Sequence, residues 1–170
     1  MREIDVHDLL ENPGSARTVE VHEPVEGLQT DLARVPDGAP IDGELLLESV
    51  VEGILVSGRI GGSVSYTCAR CLVEFEGDFE VGVSELFARE PDPDADQYPL
   101  PEGDAIDPET MVRDAVVLSM PFAPLCRPDC LGLCERCGGN RNVGECTCPP
   151  EAADPRWAGL EGLLDREGRN

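Results

Sequence analysis

Eight cysteines carry whatever chemistry this 170-residue chain can perform. Two form the run Cys68-Ala69-Arg70-Cys71. The others, Cys126, Cys130, Cys134, Cys137, Cys146 and Cys148, follow within residues 126–148, a stretch rich in Gly, Pro and Arg. A CxxC turn brings both sulfurs to one side, where backbone N–H groups support them, and thiolates in fours suit tetrahedral zinc. Cys134-Glu135-Arg136-Cys137-Gly138-Gly139 has the small residues that let such a knuckle close, and Cys146-Thr147-Cys148 adds a second pair after residues 138–145. Cys134, Cys137, Cys146 and Cys148 are therefore expected to form one compact site. By remainder, Cys68, Cys71, Cys126 and Cys130 would form the other, tying the tip of a hairpin to a distant segment. Spacing also permits Cys126, Cys130, Cys134 and Cys137 as one site, which leaves Cys68, Cys71, Cys146 and Cys148 for the second.

The chain offers little else for catalysis. Hydrolytic zinc keeps an open coordination position and commonly uses His or carboxylate ligands, whereas four-thiolate sites are closed and structural. His7 and His22, the only histidines, sit in polar contexts without a nucleophile partner and read as surface residues. No P-loop, dinucleotide fingerprint or nucleophile elbow appears. The expectation is a protein that is not an enzyme, with no catalytic residue and no small-molecule substrate, holding two structural zinc ions. The competing class is a zinc–thiol redox or zinc-availability sensor, in which oxidation releases metal. No opening run resembles a signal peptide and no apolar stretch approaches the ~20 residues that span a bilayer. A cytoplasmic location without a membrane partner is expected, where disulfides are rare.

Thirteen Lys and Arg against 35 Asp and Glu give a formal net charge of −22. Such a surface repels phosphate backbones and suits either simple solubility or a basic partner. The charge is uneven. Residues 85–109 hold nine acids and one Arg, while residues 121–150 hold three of each sign. Direct RNA contact is thus expected only through the cysteine-rich module, where Arg70, Arg127, Arg136 and Arg141 also screen thiolate charge. No aromatic stacking platform accompanies them.

The elements that must position these thiols follow from periodicity. Residues 1–14 read as a short opening helix with Ile4, Leu9 and Leu10 apolar, stopped by Asn12-Pro13-Gly14. Residues 17–25 mix charged residues with valines in a strand-like way, Pro24 marking an edge. Pro36-Asp37-Gly38 signals a turn. Residues 45–67 are β-rich, with Ile54, Val56, Gly58 and Ile60 alternating before an expected turn at Gly61-Gly62. In residues 72–81, Val73, Phe75, Phe79 and Val81 oppose Glu74, Glu76, Asp78 and Glu80, the pattern of an antiparallel strand with one wet face. That places Cys68 and Cys71 at a hairpin tip. Residues 88–107 read as a long, flexible acidic loop. Asp107-Pro108 starts a helix that runs to about Ser119, with Met111, Val112, Ala115, Val116 and Leu118 around it. A weak final helix is expected over residues 157–165. The fold class is α+β: an antiparallel sheet or partial barrel packed by one central helix, with a C-terminal cysteine-rich zinc-binding module. The expected divisions are a core over residues 1–125, the module over 126–150 and a tail over 151–170.

One run of motifs has a family look. An Asp-Leu-Leu…Pro-Gly-Ser segment near the start precedes Cys68-Ala69-Arg70-Cys71-Leu72. Met111-Val112-Arg113-Asp114 and Leu118-Ser119-Met120-Pro121 follow, and then Pro124-Leu125-Cys126…Asp129-Cys130-Leu131-Gly132-Leu133-Cys134-Glu135-Arg136-Cys137-Gly138. Across nearly the whole chain, and most specifically over residues 111–148, this resembles the bacterial YceD family, the large ribosomal RNA subunit accumulation proteins. The resemblance implies a non-enzymatic role in ribosome assembly, with a large-subunit ribosomal protein or precursor large subunit as partner. Genes of the family often lie beside one for a small, basic large-subunit ribosomal protein. Some branches keep the CxxC pair and a ligand pair near positions 126 and 130 but lack the later cysteines. That implies the split into Cys68/Cys71/Cys126/Cys130 and an accessory set Cys134/Cys137/Cys146/Cys148.

Overall fold

The structure, a computed structural model, describes residues 1–149 other than Asp96 and Glu102. It divides into two compact units, Met1–Cys130 and a second beginning at Leu131. The expected helix over residues 157–165 lies outside the described residues.

In chain order the first unit contains β1 (Ile4–Asp5), α1 (His7–Glu11), β2 (Ala16–Pro24), β3 (Ala33–Arg34), β4 (Pro40–Ser49), β5 (Gly53–Thr67), β6 (Glu74–Ala88), β7 (Gln97–Pro99), β8 (Ala105–Ile106) and α2 (Glu109–Ser119). It is mostly sheet with few helices. Six strands form one sheet in the order β2-β4-β5-β6-β7, with β3 beside β5, and β1 pairs with β8 in a second, two-stranded sheet. Among the described residues the large sheet stays open and does not close into a barrel. β2 is an edge strand, which suits Pro24, a residue with no N–H to give a ladder.

Strand pairing follows from alternation. Leu47 faces Val56 and Ser49 faces Ile54 across β4 and β5, while Ile54 faces Phe87 across β5 and β6. Leu47, Val56, Ile54 and Phe87 therefore share one apolar face. With Val21, Ile41, Leu45, Ile60, Val64, Val83, Met111, Val112 and Val116 they form the buried core. Gly58 lies in this row because a Cβ there would sit 2.1 Å from the Glu44 carbonyl oxygen.

Several expectations are corrected. Gly61-Gly62 is not a turn, since β5 runs straight through it. A Cβ on Gly61 would come 2.7 Å from the Phe79 carbonyl oxygen, so this glycine permits close strand approach. The β4–β5 reversal is at Val51 and Glu52, closed by the Val50 N–H donating to Gly53 O at 2.9 Å, with Val51 exposed at the tip. The opening helix shrinks to α1, because Ile4 and Asp5 are taken by β1. Residues 88–107 are not one structureless loop. β7 lies parallel to the end of β6, Tyr98 stacks on Phe87 at 5.3 Å, and its hydroxyl donates to Asp114 at 2.7 Å.

α2 begins where Asp-Pro indicates, with Asp107 Oδ1 accepting the Glu109 N–H at 2.9 Å. It buries Met111, Val112 and Val116 and packs near β6, but Leu118 is 84% exposed, so the helix is not apolar all round.

Candidate metal centres

The β5–β6 hairpin ends at Thr67 and resumes at Glu74, and its tip carries Cys68 and Cys71. The tip is a tight turn. The Cys68 N–H donates to Val73 O at 3.0 Å, and the Leu72 N–H donates to Cys68 O at 2.9 Å. Leu72 takes a left-handed φ of 58°, uncommon for a branched apolar residue, which turns the chain back into β6. The segment after α2 is tied to this tip by two hydrogen bonds to its carbonyl oxygens, one from a backbone N–H and one from a side chain. Ala69 N–H donates to Pro124 O at 2.8 Å, and Arg70 Nη1 donates to Cys130 O at 3.0 Å.

These contacts bring Cys68, Cys71, Cys126 and Cys130 together, all four sulfurs within 4.8 Å of one another. The Cys68–Cys130 and Cys71–Cys126 sulfurs are 3.8 and 3.7 Å apart. A sulfur tetrahedron around a metal with bonds of ~2.3 Å has edges of about 3.8 Å, so this spacing fits a bound ion. Cys68, Cys71 and Cys130 are buried. Burial works to raise the Cys68 thiol, yet N–H groups of Cys126, Cys71 and Arg70 directed at its sulfur bring it down to about 6. Burial and the crowding of Cys71, Cys68 and Cys130 push Cys126 up to about 12. Ionisation of the Cys68 sulfur is thus favoured, and that of Cys126 beside it is opposed.

The second unit gathers Cys134, Cys137, Cys146 and Cys148, also within 4.8 Å of one another. Gly138 at φ 73° lets the first knuckle close, its N–H donating to Cys134 O at 2.8 Å, while Cys134 N–H donates to Gly139 O at 2.9 Å. Asn140 braces the excursion to Cys146. Its Oδ1 accepts the Asn142 N–H at 2.9 Å, and its N–H donates to Glu145 Oε2 at 3.0 Å. The N–H groups of Cys137 and then the Cys146 thiol lead in bringing Cys134 down to about 6. Crowding by Cys137 and Cys146 leads in pushing Cys148 up to about 12. Cys137 is exposed, and the other three are half-buried.

All eight cysteines picked from the sequence therefore fall into two quartets, in the split that the local spacing and the family resemblance favoured. The alternative set Cys126, Cys130, Cys134 and Cys137 is not formed. Four soft sulfurs with no oxygen or imidazole donor can hold a borderline or soft metal ion. Of the four arginines, Arg70 holds the Cys130 carbonyl and Arg127 lies 3.6 Å from Asp129, while Arg136 and Arg141 are exposed. His7 and His22 are surface residues paired with Asp104 and Asp42. Sequence reasoning named Leu72 and Pro124 only as members of motifs, without their roles here, and missed Asn140. The Asn140-Arg141-Asn142 turn chemistry between two glycines was the one available signal.

A mostly-sheet domain with one four-cysteine cluster at a hairpin tip, followed by a second cluster in its own unit, defines the class. The family model for "Large ribosomal RNA subunit accumulation protein YceD" matches residues 56–164. The chain belongs to this family. It is 36% identical over 179 aligned positions to an uncharacterized protein of Mycobacterium tuberculosis (strain ATCC 25618 / H37Rv), covering 96% of this chain and 82% of that one. The "Large ribosomal RNA subunit accumulation protein YCED homolog 1, chloroplastic" of Zea mays is 36% identical over 80 positions, covering 44% of this chain and 27% of its own length. The uncharacterized protein YlbN of Bacillus subtilis is 26% identical, covering 88% and 87%. No solved structure matches. Among the described residues, no helix is long and apolar enough to cross a membrane.

Proposed function

We propose that this protein is a non-enzymatic, cytoplasmic ribosome-assembly factor. It supports accumulation of large-subunit ribosomal RNA by holding a basic ribosomal protein, or a precursor large subunit, against its acidic sheet. Membership of a family named for that RNA supports a ribosome-related role. The observation that carries the mode of action is the one-sided carboxylate row Glu74, Glu76, Asp78 and Glu80 on β6, all exposed. The two sulfur quartets hold zinc in a structural role, because closed four-thiolate sites leave no position for a substrate. A tagged chain should recover large-subunit components at low salt, and recovery should fall as salt rises. No ribosomal material at low salt sinks the reading. Native mass spectrometry before and after chelation should count two zinc ions per chain.

A second reading, a zinc–thiol redox or zinc-availability sensor, draws on the exposed Cys137. It requires zinc release under mild peroxide, whereas retention at modest oxidant leaves both sites structural.

A further inference from the structure

β6 pairs with β5 from Glu74 to Ala88, but with β7 only at Leu86, Phe87 and Ala88. Residues 74–82 therefore form an edge on which every second residue points its N–H and C=O away from β5. Among the described residues, no other backbone hydrogen bond reaches that stretch.

The two faces of this edge differ. On one, Glu74, Glu76, Asp78 and Glu80 stand opposite Thr67, Ser65, Ser63 and Gly61 of β5, a column without a cation. Arg59 reaches into the row from one end, pairing with Glu80 at 2.8 Å. On the other face Phe75, Phe79 and Val81 are only half-buried, although Val83 and Phe87 further along the strand are buried. Tyr66 contacts Phe75 with ring centroids 5.3 Å apart, which leaves the apolar row unfinished on its outer side.

We propose that residues 74–82 accept an extended segment of a basic partner as an added strand, its residues alternating between Lys or Arg and apolar side chains. The added backbone satisfies the open N–H and C=O groups, its cations lie beside the carboxylate row, and its apolar residues cover Phe75, Phe79 and Val81. A second copy of this chain is a poor occupant, because pairing β6 with itself sets two carboxylate rows against each other. The inference rests on the basic-partner reading above and adds the place and the backbone geometry.

The test uses the full chain and two ten-residue peptides of equal composition, one alternating Val and Lys, the other with all Val followed by all Lys. The alternating peptide should bind at least tenfold more tightly and should slow amide hydrogen exchange within residues 74–82. Glu74→Lys, Glu76→Lys and Asp78→Lys together should cost at least tenfold. Glu20→Lys with Glu44→Lys, also exposed on the sheet, should leave the preference between peptides intact. Equal binding of both peptides, or unchanged exchange over residues 74–82, overturns the added-strand proposal. That outcome still leaves the salt-sensitive recovery of ribosomal components to decide the basic-partner reading, which fails only if that recovery is absent.

Discussion

The two cysteine quartets share a ligand chemistry and differ in what surrounds them. Cys68, Cys71 and Cys130 are buried at the end of a unit that has its own apolar core of Val, Leu, Ile and Met. The second unit, over its described residues, buries no large apolar side chain of its own, and its loops are held by the Asn140, Asn142 and Glu145 hydrogen bonds around its sulfurs. A metal held by the first quartet would be one of several things that stabilise its surroundings, whereas one held by the second would be the centre about which that unit is organised.

The widest gap should open on removing metal. Structural zinc is worth about 10–16 kcal/mol of apparent binding energy, and a unit without a core has nothing to replace it. Chelation should abolish structure in residues 131–149 while the amides of β4, β5 and β6 stay protected from hydrogen exchange. Equal loss in both regions would erase the distinction. Next in size, Cys68→Ser removes the most buried ligand of the first quartet. It should lower the denaturant stability of the first unit by roughly 4 kcal/mol or more, the range reserved for lost metal sites. An unchanged midpoint would mean that quartet is not a structural clasp. Ile54→Ala, in the fully buried row between β4 and β6, should cost about 2–5 kcal/mol in the first unit and leave metal binding by the second unit unaltered. Smallest, Asn140→Ala should cost about 1 kcal/mol, read as weaker metal affinity of the second unit alone.

Legibility divides along the same line. The second quartet could be read directly, because its ligands are close in sequence and the intervening glycines permit the turns. Alternation in β6 and the Asp-Pro start of α2 were equally plain, since each is a local pattern. The first quartet needed a contact that no local pattern encodes, the Ala69 N–H on the Pro124 carbonyl. Gly61-Gly62 misled because paired glycines signal a turn unless a neighbouring strand needs the space, as the Phe79 carbonyl does. β1, β7 and β8 were invisible for another reason. Strands of two or three residues have no period, and they exist only because a partner far along the chain is already in place.

The separation of the first quartet also sets a timetable. Cys71 and Cys126 are 55 residues apart. At the 5–20 residues per second of synthesis, the hairpin tip waits some seconds for the rest of its ligands. During that interval β4, β5 and most of β6 can already pair, leaving Cys68 and Cys71 as two bare thiols on a nascent chain. The second quartet, complete from Cys134 to Cys148, waits only about a quarter as long. A newly made molecule is therefore most exposed to oxidation and to misplaced metal at the site that ends up best buried.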